Sequence, residues 1–242
     1  MSDSNNLTRY SLICEKNPRE IVLLRGSGCK WRRCRFCDYH LDFHPDPSLN
    51  YELNASILRQ VTGQFHRLEV INSGSFSDLD SETTALLREI CIHKGIHTLY
   101  VECHWLDRHH IAPFKEAFAA AGIHVEVKGG IETFDQAYRE SVFCKGIDTD
   151  SPEEMARYYE QVCLLFGTTG QTQASMERDL TLGLQHFKRV CINVMTENST
   201  SIKPDQQVIA LFREYIYPKY RLEDRVDILM NNTDFGVGGS DE

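Results

Sequence analysis

The chain has 242 residues, 41% hydrophobic and 25% charged, which supplies a full apolar core and excludes a disordered polymer. With 26 Lys and Arg against 35 Asp and Glu, the net charge is −9, a poor basis for gripping an extended phosphate backbone. No apolar run reaches membrane-spanning length, and the polar stretch from Met1 to Tyr10 lacks the apolar centre of a signal peptide.

In chain order, a first strand is predicted over 20–25, a helix over 51–62 with Leu53, Ile57, Leu58 and Val61 on one face, and a strand over 66–71. A helix over 81–94 opens with Ser81 as its cap, followed by a strand at 97–103 and a helix at 107–121. The pattern continues with a strand at 122–128, helices at 134–144 and 152–160, a strand at 162–166, a helix at 173–187 and a strand at 190–195. The tail carries a helix over 205–217 and a last strand over 225–230, and ends in a polar, glycine-rich stretch over 231–239.

This alternation predicts an α/β fold with a mainly parallel sheet and helical crossovers. Six strand–helix units and a tail suggest a partial (βα)6 TIM-like barrel with a short C-terminal extension; a doubly wound open sheet fits the same string. A single domain is expected over 1–242, with a core at about 18–200 and the extension at 201–242, because no repeat or linker interrupts the pattern. In either fold, functional groups sit at the C-terminal ends of the strands. Nine cysteines, six of them scattered, do not resemble a secreted disulfide framework and point to a reducing, cytoplasmic compartment.

The other three, Cys29, Cys34 and Cys37, lie directly after the first strand with the spacing C-x4-C-x2-C. Positive charge collects around them, since six of the sixteen residues from Arg25 to His40 are Arg, Lys or His. Soft thiolates suit iron, and three of them can ligate three irons of a 4Fe-4S cluster and leave the fourth open to a chelating substrate. The competing assignment is zinc, with Cys34 and Cys37 as a pair completed by His40 and His44. The position of the loop, at the catalytic end of a strand, favours the cluster.

The three-cysteine loop after the first strand, with the aromatic Phe36 just before Cys37, resembles that of the radical S-adenosylmethionine superfamily. Its usual spacing is C-x3-C-x2-C, so this chain carries one extra residue between Cys29 and Cys34. The turn Asn72-Ser-Gly-Ser-Phe-Ser-Asp78 is similar to the one that holds the methionine amino group, and Gly130-Ile-Glu-Thr-Phe134 looks like the family's G-[IL]-E-T segment. Arg139 and Lys145 follow in the Arg…Lys-Gly order. The resemblance implies a 4Fe-4S cluster on Cys29, Cys34 and Cys37, S-adenosylmethionine (SAM) as cofactor, and Phe36, Ser73, Gly74, Ser75, Lys128, Glu132 and Arg139 as cofactor contacts. Arg139 is the implied partner of the methionine carboxylate, and a flavodoxin or ferredoxin the implied electron donor.

Within that superfamily, the run from Arg25 to His40, the Asn-Ser-Gly-Ser-Phe turn and the length are most like the bacterial queuine lyases. The resemblance implies cleavage of queuine at its exocyclic carbon–nitrogen linkage, leaving an aminomethyl-deazaguanine. An archaeosine-forming radical enzyme acting on tRNA shares the Ser-Gly-Ser-Phe turn, but the acidic chain fits a free deazaguanine base better than nucleic acid. A base of that kind is read by carboxylates and amides. The strand-end candidates are Glu102, His104, Asn193, Asn231, Asn232 and Asp234. For each, a structural role competes: a salt bridge for Glu102, a packed imidazole for His104, and a turn for the Asn-Asn-Thr-Asp run.

Overall fold

The computed structural model describes residues 7–240, so Met1–Asn6 of the stretch read for a signal peptide lie outside the described residues. The described residues form two compact units, one of residues 7–30, 39–127 and 235–240, the other of residues 31–38 and 128–234.

The first unit opens with β1 (Leu7–Thr8), β2 (Tyr10–Ile13) and β3 (Arg19–Leu24). β2 pairs antiparallel with β3 and was not expected, because its four residues show no apolar alternation. After the cysteine loop come α1 (Pro47–Leu58), β4 (Arg67–Asn72), α2 (Ser81–His93), β5 (Thr98–Cys103), α3 (Ile111–Ala119) and β6 (His124–Glu132), whose last residues belong to the second unit. β3, β4 and β5 pair in parallel register. Their near-continuous apolar runs, such as Ile21, Val22 and Leu24 or Leu68 and Val70, are fully buried, as strands covered on both faces require.

Helix starts moved for a local reason. α1 begins at Pro47, ahead of the apolar periodicity, because Asp46 accepts a hydrogen bond from Ser48 N and Pro47 needs no donor in the first turn. Likewise Asp80, not Ser81, caps α2 by accepting from Thr83 N. The helix expected over 107–121 splits into a 3-10 turn, Trp105–His110, and α3.

The second unit holds the end of β6, then α4 (Gln136–Tyr138), α5 (Pro152–Met155), β7 (Gln161–Phe166), α6 (Gln173–His186), β8 (Arg189–Val194), α7 (Gln206–Leu211), α8 (Tyr217–Tyr220) and β9 (Val226–Leu229). β6 to β9 pair in parallel, and all six residues of β7 are buried. The expected helices over 134–144 and 205–217 each contain a π-helical turn, Arg139–Phe143 and Phe212–Ile216. The strand expected over 122–128 instead runs on to Glu132.

The larger sheet has eight strands in chain order, β2 to β9, where seven were expected. Part of the glycine-rich tail forms β10 (Gly238–Ser240), antiparallel to β1. Among the described residues, no helix is long and apolar enough to cross a membrane.

Candidate functional site

In the first unit, the loop after β3 is fixed at its root. Arg25 N donates to Asn54 Oδ1 and Arg25 Nε to Asn50 Oδ1, both on buried positions of α1. Gly26 lies so close to the turn after β4 that an added Cβ would stand 2.7 Å from the Asp78 carbonyl oxygen. Cys29 is half-buried, and Gly74 packs against it: a Cβ there would meet Cys29 Cα at 2.9 Å and Asp78 Oδ2 at 2.3 Å. Glycine at that position permits the close approach.

The same turn carries a charged network that sequence did not reveal. Ser75 N donates to Asp78 Oδ2 at 2.8 Å, and Ser75 Oγ donates to Asp107 Oδ2 at 2.6 Å. Lys30, next to Cys29, reaches both carboxylates, at 3.1 Å from Asp107 and 3.4 Å from Asp78. Burial pushes the Asp78 carboxyl above its ordinary range. Burial acts on Asp107 too, but the Ser75 hydroxyl and the Lys30 ammonium outweigh it and hold that group low. Ser73 Oγ and Asn72 Oδ1 are buried without a hydrogen-bond partner. Such groups are costly to leave unmet.

In the second unit, the segment from Trp31 to Asp38 is docked residue by residue. Trp31 Nε1 donates to the Cys144 carbonyl at 2.8 Å, Arg35 N to Phe143 O at 3.0 Å, and Asn198 Nδ2 to Phe36 O at 2.6 Å. The Phe36 ring packs edge-on to Phe143, 5.2 Å between centroids. Arg32 takes up a left-handed conformation, φ 48°, within the four-residue spacer that sets this loop apart. Gly146, φ 73°, lies flat against the indole: a Cβ there would be 2.3 Å from Trp31 Cζ2. Gly146→Ala is therefore expected to displace Trp31 and lower the iron bound per chain after reconstitution, while Gly122→Ala, at an open exposed turn, leaves iron binding intact.

Glu132 and Lys145 form a buried ion pair, Nζ to Oε1 2.8 Å, with the ammonium 5.5 Å from the Phe36 ring centroid. Burial alone would depress the Lys145 pKa; Glu132, then Cys34 and Cys37, reverse this and hold it above the ordinary lysine value. Glu132 sits at the end of β6 in a left-handed conformation, φ 67°. Lys128 is buried on the same strand, opposite Gln161.

Arg139, the implied partner of the methionine carboxylate, is engaged with the chain itself. Its side chain is fully buried, and its guanidinium donates to the carbonyls of Thr133, Ile147 and Thr149 and to Glu140. These contacts brace the backbone around the π-helical turn. The tail residues Asn231, Asn232 and Asp234 are exposed, and Asp234 Oδ2 accepts from Met230 N and Asn231 N, so this run is a turn. His104 caps the 3-10 turn by accepting from Leu106 N at 3.1 Å. Glu102 on β5 and Asn193 on β8 are half-buried.

The donor chemistry fits an iron–sulfur cluster. Cys29, Cys34 and Cys37 are half-buried and take part in no disulfide. By contrast Cys91 and Cys103 are buried, which pushes each thiol up to about 12 and makes it inert. Among the described residues, no three His, Cys, Asp or Glu side chains are already gathered as around a metal ion.

A solved structure described as a queuine lyase from Clostridium spiroforme bound to SAM and queuine is similar to this chain, with 40% sequence identity and a TM-score of 0.92. The match covers 96% of this chain and 100% of that one. No protein-family model matches the sequence, and no curated protein matches it.

Proposed function

The chain belongs to the queuine lyases, among the radical SAM enzymes, and from that premise we propose that it cleaves queuine and releases the aminomethyl-deazaguanine precursor of queuosine. The observation that carries this is the likeness, over 96% of the chain, to a structure bound to both SAM and queuine. Its cofactors are a 4Fe-4S cluster and SAM. Bound there, they supply a one-electron route to hydrogen abstraction from the substrate.

The chain's own groups have the following roles. Cys29, Cys34 and Cys37 ligate three irons. The unpartnered acceptor Asn72 Oδ1 suits an ammonium, and Ser73 Oγ either donates to or accepts from the same moiety. Gly74 and Ser75 shape that turn, Phe36 packs beside the cofactor, and Glu132, held by Lys145, accepts a hydrogen bond from it. Lys128 lies on the same strand as Glu132. Glu102, His104 and Asn193 are the remaining candidates for reading the deazaguanine edge. A reducing cytoplasm suits both the cluster and the scattered thiols.

Anaerobic protein loaded with iron and sulfide, then reduced, is offered free queuine or queuosine-containing tRNA. Free queuine is expected to drive release of the aminomethyl-deazaguanine together with methionine and 5′-deoxyadenosine. Product formed only with tRNA would defeat the free-base assignment.

A further inference from the structure

The chain as a whole is acidic, at −9, but the segment carrying Cys34 and Cys37 is not. Between Trp31 and Asp38 it has three arginines, Arg32, Arg33 and Arg35, all exposed, against one acid. That acid, Asp38, is turned away, accepting from Ser199 N and Oγ at 3.0 Å each. The neighbouring acids of the segments that hold this one are also engaged. Glu140 accepts from Gly146 N and Ile147 N, and Glu197 pairs with Lys203. The arginines are also oriented. Arg33 stacks on the Trp31 ring at 5.2 Å, and Arg35 Nη1 donates to the Ser141 carbonyl at 3.2 Å. Arg33 and Arg35 flank Cys34 directly in sequence.

We propose that Arg32, Arg33 and Arg35 form the docking face for an acidic, one-electron carrier protein that reduces the cluster. The inference rests on the cluster assignment made above. A basic segment on a chain of net negative charge steers an acidic partner towards it. Electron-transfer encounters use small, short-lived interfaces, which three arginines on a docked loop match. They are too few to neutralise an RNA backbone on a chain of this charge. Each productive encounter moves one electron: the carrier loses it, the cluster gains it, and no bond is made or broken.

The probe is a flavodoxin hydroquinone, mixed anaerobically with iron-loaded enzyme in a stopped-flow instrument while its oxidation is followed. Wild-type enzyme is expected to react steeply more slowly as salt is raised. The R32E/R33E double variant should lose roughly tenfold or more of the low-salt rate. Turnover driven by dithionite, a small reductant that needs no docking face, should be the same in both proteins. Equal flavodoxin rates for the two proteins at low salt would overturn the proposal. Should the charge reversal disturb iron loading, R32Q/R33Q and the salt dependence of the wild type decide it, and a salt-independent wild-type rate overturns it. A tRNA gel shift that R32E/R33E abolishes, with the flavodoxin rate unchanged, would assign the face to RNA instead. Wild-type enzyme that holds no iron, or that dithionite cannot drive, marks failure of the underlying cluster assignment.

Discussion

Cys29→Ala, Cys34→Ala and Cys37→Ala are each expected to reduce SAM cleavage to background and to strip the protein of its iron. A 4Fe-4S cluster on three thiolates already has one iron without a protein ligand, so removing a second bond leaves half of the irons unheld. Cys14, which is exposed and outside the loop, provides the control, and Cys14→Ala should keep both iron and turnover. The readouts are iron and sulfide per chain and the visible absorbance of the reconstituted protein. The same series tests zinc. A Cys29→Ala protein that retains one tightly bound zinc and never held iron would place the metal on Cys34, Cys37 and the histidines beyond them, and would end the radical mechanism.

Lys145→Met is expected to destabilise the fold by about 3–5 kcal/mol, because it strands the buried Glu132 carboxylate without its partner. The double variant Lys145→Met with Glu132→Gln should recover much of that loss, since it removes both charges together. Urea midpoints of the three proteins measure the effect, and a single variant as stable as the wild type would show that the pair does not hold this strand end. The pH dependence has a definite sign. The Lys145 pKa is raised on folding, so the pair's contribution is fully present below the ordinary lysine pKa and is lost only as pH rises through the higher folded value. Stability at neutral pH therefore does not vary through this group. SAM affinity in Glu132→Gln, measured by calorimetry, tests the proposed cofactor contact apart from the residue's role as Lys145's counter-ion.

The parallel strands were legible because burial on both faces writes itself into sequence as apolar runs. Val162–Phe166 and Ile21–Leu24 can be read by eye. The cysteine loop was legible because three soft ligands in nine residues have few other uses. What escaped depended on partners distant in sequence. The contact between Lys30 and Asp107 spans 77 positions, and that between Trp31 and Cys144 spans 113. No local pattern announces either. The role of Arg139 as a backbone brace was hidden for the same reason: its motif suggested a ligand contact, and nothing local announced the three backbone carbonyls to which its guanidinium donates. The extra residue between Cys29 and Cys34, an anomaly in sequence, is absorbed by the left-handed turn at Arg32 beside the Trp31 anchor.

The β1–β10 ladder, which the sequence reading did not anticipate, bears on how the fold answers a pulling force. Leu7 pairs with Ser240 and Thr8 with Gly238, so the two strands end together at Leu7 and Ser240. A force that pulls those ends apart opens it like a zipper, one hydrogen bond at a time, rather than shearing all of its bonds together. Loaded in that way, so short a ladder is expected to part before the longer pairing of β2 with β3, which leads into the cysteine loop.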